Sequence, residues 1–397
     1  MKILFINKFM YEKGGAEIYM KRLADALMSN GHTVRFFGMY SPENTMTNDL
    51  NLSVTPTDFH TNSLLEALSY PPRIIYSAEA KRKCRQVIED FTPDIIHINN
   101  FNFQLTPSIL DAIPATIPVI MTAHDAQLMC PNHLMYIPSK QKTCTKCLTS
   151  NHTFNCILNR CTHNSLPKSI ISATEGALYR LVKTYDKIDK IVVPSRFLQK
   201  KYEEDRRFQG KTVFLSNFVD TADVSHINRP SNPNGILFFG RLSPEKGIKN
   251  FCDAAKALPD EKFIVCGDGP ERSLVESVKN IEYKGFQKGD DLKRIIASSK
   301  LVVIPSICYE NCPLSVIEAQ QLGVPVLVPS YGGAAEMTDS RKIEDESAGA
   351  LVRAIKEVYF DEGILEEMSK DSLRHISDYP DPKTYANEVE VIYRSVL

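Results

Sequence analysis

The strongest constraint on how this chain folds is an alternation that runs twice along it. Short runs such as Asp94-Ile95-Ile96-His97-Ile98, Pro118-Val119-Ile120-Met121-Thr122, Ile236-Leu237-Phe238-Phe239 and Leu301-Val302-Val303-Ile304 are apolar at consecutive positions. A strand of that kind is buried on both faces, and the segments of helical spacing between the runs supply the cover. The pattern predicts parallel sheets joined by crossover helices. It begins with a strand at residues 2–6, a helix at 16–30 and a strand at 34–37, and it restarts at residue 236. Between the two rounds, residues 221–235 hold little apolar content and end in Pro230-Ser231-Asn232-Pro233-Asn234-Gly235, the composition of a linker. A length of 397 residues suits two cores better than one. The expected division is a first domain over 1–222, a second over 235–378, and a terminal helix over 379–397.

Chemistry concentrates where strands end. After Leu301-Val302-Val303-Ile304, Pro305 and Ser306 stop the strand, and Leu314, Ile317, Ala319 and Leu322 recur at helical spacing until Gly323 and Pro325. Glu310 therefore lies in the loop beyond the strand, and Glu318 about one turn into the helix. The peptide N–H groups around residues 313–316, at Pro313, Leu314 and Ser315, mark a helix start that attracts phosphate. Two carboxylates able to hold hydroxyls, beside an anion site, suit a sugar nucleotide. Near the amino end, Gly14 and Gly15 sit between the first strand and its helix, where the missing side chains let a phosphate or sugar approach the backbone. Arg241 and Lys246 follow the strand at 236–239 in Gly-Arg-Leu-x-x-x-Lys-Gly; a planar fork and a mobile ammonium together can neutralise a diphosphate. Gly267 opens a turn after the strand at 262–266, and Phe286 follows a further short strand. His124 stands just past residues 118–122, where such folds place ligands; a satisfied core histidine is the structural alternative.

Taken jointly, Gly14-Gly15-Ala16-Glu17, the Arg241/Lys246 loop and the Glu310/Glu318 pair resemble the retaining glycosyltransferases of family 4, and the resemblance covers nearly the whole chain. It implies a GT-B fold, two Rossmann-like α/β domains facing a cleft, with the terminal helix crossing back to the first. It implies an enzyme moving a sugar, from a UDP-sugar before other donors, to a glycan or lipid-linked acceptor of cell-surface polysaccharide. The resemblance assigns Gly14 and Gly15 to the donor's diphosphate and sugar, His124 to the transferred sugar, and Arg241 and Lys246 to the leaving diphosphate. Glu318 falls to the ribose, Glu310 to sugar hydroxyls, and Gly267 with Phe286 to the nucleotide. No catalytic metal is required where two cations already hold the diphosphate. The chain departs from the family after Glu336, where a glycine-containing hairpin is replaced by polar residues leading to a helix at 348–359. Competing readings are a sugar-nucleotide epimerase and a non-catalytic GT-B subunit. A nicotinamide oxidoreductase lacks its Gly-x-Gly-x-x-Gly fingerprint here.

A net charge of −1 gives no pull toward nucleic acid, and no apolar run approaches the ~20 residues of a membrane span. The first seven residues read as a strand and not as a signal peptide, which points to a cytoplasmic protein. Ten cysteines then need a reason in a reducing compartment. Cys84, Cys252 and Cys266 fit small buried apolar positions, and Cys308 and Cys312 fit packing of the Glu310 loop. Five others fall within residues 130–161, which have no apolar periodicity and read as an inserted loop. Cys144 and Cys147 at C-x-x-C spacing, with Cys156 and Cys161, can hold a structural zinc, His163 or Cys130 being substitutes. Finally, residues 73–91 carry Lys81, Arg82, Lys83 and Arg85 beside Ile74, Ile75, Tyr76, Val87 and Ile88. They form either a basic helix lying peripherally on the inner face of the membrane or a solvated helix whose apolar side packs on the core.

Overall fold

Two six-stranded sheets, parallel throughout, carry the molecule in the computed structural model, which describes residues 1–56, 72–149 and 153–397. The first sheet begins with β1 (Lys2–Ile6), β2 (Thr33–Phe37), β3 (Ile95–Ile98) and β4 (Val119–Thr122). A small antiparallel hairpin, β5 (Tyr136–Ile137) and β6 (Lys142–Thr143), stands apart before β7 (Lys190–Val193) and β8 (Thr212–Phe214) complete the sheet in the order β2-β1-β3-β4-β7-β8. The second sheet holds β9 (Ile236–Phe239), β10 (Phe263–Cys266), β11 (Ile281–Tyr283), β12 (Leu301–Val303), β13 (Val326–Pro329) and β14 (Lys342–Ile343). Its order, β11-β10-β9-β12-β13-β14, is that of a Rossmann sheet.

Successive strand residues face opposite sides, so each run of apolar residues feeds two cores. In β1, Leu4 and Ile6 join Cys84, Val87 and Ile88 of the helix Ala78–Phe91. Ile3 and Phe5 turn the other way, toward Leu23 and Leu27 of the helix Gly15–Ser29. The second sheet repeats this, Ile236 and Phe238 packing with Phe251, and Leu237 and Phe239 with Val316 and Ile317. The chain then returns: Tyr385 and Tyr393 of the final helix, Pro382–Arg394, lie in the first sheet's core. Tyr393 Oη is 2.6 Å from His97 Nδ1, and Tyr385 Oη is 2.8 Å from Tyr19 Oη.

Two expectations are corrected. The cysteine-bearing insertion is not a plain loop: it holds the hairpin β5–β6 and short helices at Lys146–Thr149 and Phe154–Leu158. The polar stretch after Glu336 is not wholly irregular either, since β14 adds an edge strand, Val328 pairing with Lys342 and Pro329 with Ile343. Of the two readings of residues 73–91, the packed helix holds: Ala78–Phe91 turns Ala80, Cys84, Val87, Ile88 and Phe91 into the core, so that side is not available to lipid.

Candidate active site

In an open parallel sheet, ligands bind beyond the carboxyl ends of the strands at the point where strand order reverses. In the second sheet that point lies between β9 and β12. The loop after β9 carries Arg241 and Lys246, and the loop after β12 carries Glu310. Adjacent strands therefore bring together residues separated by more than sixty positions. Lys246 Nζ lies 2.6 Å from Glu310 Oε1, and the Ser306 hydroxyl donates to the same oxygen at 2.6 Å. Burial resists the charge on Glu310, but Lys246 and Ser306 outweigh it and hold the carboxyl below the usual glutamate range. Burial likewise opposes the Lys246 charge, and Glu310 more than reverses that, holding the ammonium protonated. Both contacts engage Oε1, which leaves Oε2 to accept from a hydroxyl.

The helix Leu314–Gln321 starts beside this pair with Pro313 as its cap, and no side chain satisfies its first N–H groups. Leu314 and Ser315 are half-buried there. Glu318, in the second turn, has its pKa raised to about 7 by burial, which Arg22 and Lys293 offset in part while Asp223 adds to it. Gly267 belongs to the same rim. Its φ of +143° is foreign to other residues, and a Cβ there would lie 1.8 Å from the Gly240 carbonyl oxygen. Phe286 is 71 % exposed at the end of the loop beyond β11, free to meet a flat partner.

The first domain supplies the opposite wall. A Cβ on Gly15 would stand 3.3 Å from Leu314 Cδ1, so the glycine loop faces the helix start of the second domain directly. Gly14 caps the helix Gly15–Ser29 in an extended conformation. His124 follows β4, with Nε2 2.8 Å from Asn99 Oδ1 and its ring edge-on to Tyr19 at 5.0 Å. Burial lowers its pKa to about 4, so it is a neutral imidazole near pH 7. His97 is the core histidine of the pair, bonded to Tyr393 and Thr122 inside the sheet.

Neighbouring side chains clasp the two walls together. Asn311, next to Glu310, donates to the carbonyls of Ala123 at 3.1 Å and His124 at 3.4 Å, and accepts from the Ser195 hydroxyl. Glu336 accepts from the backbone N–H groups of Arg196 at 2.8 Å and Phe197 at 2.6 Å. His124 and Glu310 are thus held on facing loops. Arg241 is exposed, and its charge reaches Lys8 and His163 across the cleft.

Sequence reasoning missed several members. Lys8 lies just past β1, its pKa lowered chiefly by burial, with Glu17 and Asp125 opposing. Asp125 is raised to about 6 by burial, against the Gln127 N–H and Lys8. Asn99, Asn311 and Glu336 also went unassigned. Position beyond a strand end was the available signal for Lys8, Asn99 and Asp125; nothing local marked the other two. His163 faces Arg241 and Glu245, and it does not line the cavity around Cys144, Cys147, Cys156 and Cys161.

The arrangement offers two cations, an uncapped helix start, two carboxylates with free acceptor capacity and a neutral histidine around one interdomain cleft. Family models agree with it. Residues 13–223 match Glycosyltransferase Family 4, and residues 220–374 match Glycosyl transferases group 1. An uncharacterised 42.6 kDa protein from the cps region of Klebsiella pneumoniae is 24% identical over 357 residues, 85% of this chain and 87% of that one. An uncharacterised glycosyltransferase of Methanocaldococcus jannaschii is 24% identical over 379 residues, 90% of this chain and 89% of its own. Among solved structures, an Anabaena protein in complex with UDP and glucose superposes with a TM-score of 0.67 at 17% identity, each chain covered in full. That likeness and the two Rossmann-like sheets give the GT-B fold. With the family-4 match spanning more than half its length, the chain belongs to glycosyltransferase family 4 and is a glycosyl-transferring enzyme.

Proposed function

We propose that the protein moves a sugar from a UDP-sugar to a glycan or lipid-linked acceptor with retention at the anomeric carbon, in the synthesis of cell-surface polysaccharide. The observation that carries this reading is the Lys246–Glu310 pair at the second sheet's switch point, opposite the Gly14–Gly15 loop. The diphosphate lies against the N–H groups of Leu314 and Ser315, with Arg241 and Lys246 on its oxygens. Glu318 accepts from the ribose diol, and Phe286 stacks beside the base. Glu310 Oε2 and the neutral His124 accept from hydroxyls of the transferred sugar.

In the reaction the acceptor oxygen bonds to the anomeric carbon from the leaving-group face as the bond to the β-phosphate oxygen breaks. The acceptor proton passes to that departing oxygen. Lys246 and Arg241 stabilise the charge that develops there, and no step needs a divalent metal. The Anabaena structure, which holds UDP and glucose on the same fold, supports a uridine donor. The Klebsiella relative's place in a cps region supports the polysaccharide setting. A lipid-linked acceptor and peripheral contact with an anionic bilayer are supported by an open groove of about 1040 Å³ on the first domain. Phe154 and Leu181 line it, 58 % and 80 % exposed, together with Lys183 and Arg206.

The test is a screen of nucleotide sugars, scoring hydrolysis and transfer, with NMR of the product's anomeric centre. Arg241→Ala and Lys246→Ala should each lose about 10²–10³ in turnover, about 2.7–4 kcal/mol of transition-state stabilisation, while remaining folded. Near-normal turnover in both variants would remove the assignment. An inverted product would overturn retention alone, and epimerised sugar without acceptor would favour an epimerase.

A further inference from the structure

Five of the ten cysteines converge in space from three parts of one insertion. Cys130, Cys144, Cys147, Cys156 and Cys161 line a single cavity of roughly 10 Å³, about the room that one water-sized sphere needs for its centre. All five are free thiols. Cys130 belongs to the first domain's main core, while the other four share a small apolar cluster with Ile137, Ala173 and Ile157. Met135 and Leu148 tie part of the insertion to the main core, but the cluster between its two cysteine pairs buries little.

Two of the five thiols have hydrogen-bond partners: Cys130 meets Asn132, and Cys156 Sγ lies 3.8 Å from Thr162 Oγ1. Asn132 Nδ2 donates to the Tyr136 carbonyl at 2.6 Å, and its Oδ1 accepts from the Leu134 N–H at 3.2 Å. That orientation turns Oδ1 toward Cys130, whose Sγ donates to it at 2.9 Å. Cys130 stands apart on other grounds, unpaired in the sequence and packed in the first domain's main core. The remaining four are the C-x-x-C pair and the pair at the end of the insertion.

Charge supplies an independent argument. The Arg180 guanidinium is half-buried beside Cys147, donating to the carbonyls of Met129 at 2.5 Å and Cys147 at 3.3 Å, while its Nη1 has no hydrogen-bond partner among the described residues. The nearby carboxylate of Asp205 is engaged by Arg207 at 2.5 Å. Two half-buried cations thus share one anion, so further negative charge close by would be favourable. A tetrathiolate metal site carries a net charge of about −2.

We propose that Cys144, Cys147, Cys156 and Cys161 bind one zinc ion as a tetrahedral tetrathiolate site that holds the insertion against the second domain. No three of these sulfurs lie within 4.8 Å of one another, so binding contracts the ring about its cavity. Each thiol gives up its proton on coordination, and no electron transfer is involved. The site's consequence lies at the domain boundary. Thr143 Oγ1, one residue before Cys144, donates to Glu346 Oε1 at 2.7 Å, and Tyr136 packs on Ile307 and Cys308 two residues from Glu310.

The experiment uses full-length protein purified under reducing conditions without chelator. Elemental analysis should find about one zinc per chain, and cobalt-substituted protein should show the sulfur-to-metal charge-transfer and visible bands of a tetrahedral thiolate site. Cys147→Ser and Cys156→Ser should lose metal and melt earlier, whereas Cys130→Ser and Cys84→Ser should keep it. Where a variant fails to fold, the wild-type stoichiometry and cobalt spectrum decide alone. Wild-type protein that takes up neither metal, or that carries a Cys156–Cys161 disulfide in place of it, overturns the site. Metal loss in Cys130→Ser as complete as in Cys156→Ser overturns the ligand set.

Discussion

Glu310 and Glu318 come from one loop-to-helix segment, yet their surroundings push them in opposite directions. Glu310 has Lys246 and Ser306 on one oxygen, which hold its carboxyl below the usual glutamate range. Glu318 has burial without a hydrogen-bonded partner and titrates near 7. Its folded pKa lies above that of an unfolded glutamate, so the folded state binds the extra proton between the two values. Stability therefore falls as pH rises from about 4.5 to 7 and stays at the lower level above. Glu318→Gln should melt higher than wild type at pH 8 and nearly the same at pH 4.5, while losing donor binding. Melting curves at the two pH values check this, and an equal shift at both would contradict it. Arg241, Lys246, Glu310 and Glu318 were legible because each sits at a local landmark, a strand end or a helix start. Asn311 and Glu336 were not, because their partners, His124 and Arg196, lie more than a hundred residues away in sequence.

The helix Arg196–Glu203 shows how elements join the domains. Its third N–H, at Leu198, is capped by Ser195 from its own domain at 3.1 Å. Its first two are capped by Glu336 from the other domain. A carboxylate at a helix start gains from both hydrogen bonds and dipole. Glu336→Ala should therefore cost about 1 kcal/mol in stability, a typical value for a lost cap. It should also loosen the domain contact, read as a larger radius of gyration in solution scattering at unchanged helix content. Unchanged scattering and melting would show that Glu336 does not contribute to the clasp. Strands were readable from runs of buried apolar residues, as β9 and β12 illustrate. The hairpin β5–β6 was not, because strands of two residues have no measurable period. The edge strand β14 was hidden for the same reason, lying among polar residues that only the neighbouring β13 organises.

For the whole molecule, the proposed lipid-linked acceptor raises the question of which surface would meet a bilayer. No helix among the described residues is long and apolar enough to cross a bilayer. Peripheral contact needs exposed apolar side chains next to cations, and beside the cations of the helix Ala78–Phe91 the one large apolar side chain exposed among the described residues is Tyr76, against Lys81. The groove beside the helix Leu166–Leu181 offers both. Phe154 and Leu181 are exposed, as is Val182 next to Leu181, and Asp186 is the one acid lining the groove beside Lys183 and Arg206. Apolar insertion supplies binding that salt does not screen, while the cations respond to ionic strength over a Debye length of about 8 Å at physiological salt. Sedimentation with vesicles should accordingly rise with anionic lipid content and fall, without vanishing, as salt increases. Leu181→Ser with Phe154→Ser should remove the salt-resistant part, and Lys183→Gln with Arg206→Gln the salt-sensitive part. Changing Lys81, Arg82 and Lys83 to glutamine should leave both nearly intact. If that triple change abolishes binding while the groove variants sediment like wild type, the basic helix is the contact and the groove is not. If the unaltered protein stays in the supernatant with anionic vesicles at low salt, the acceptor reaches the cleft from solution.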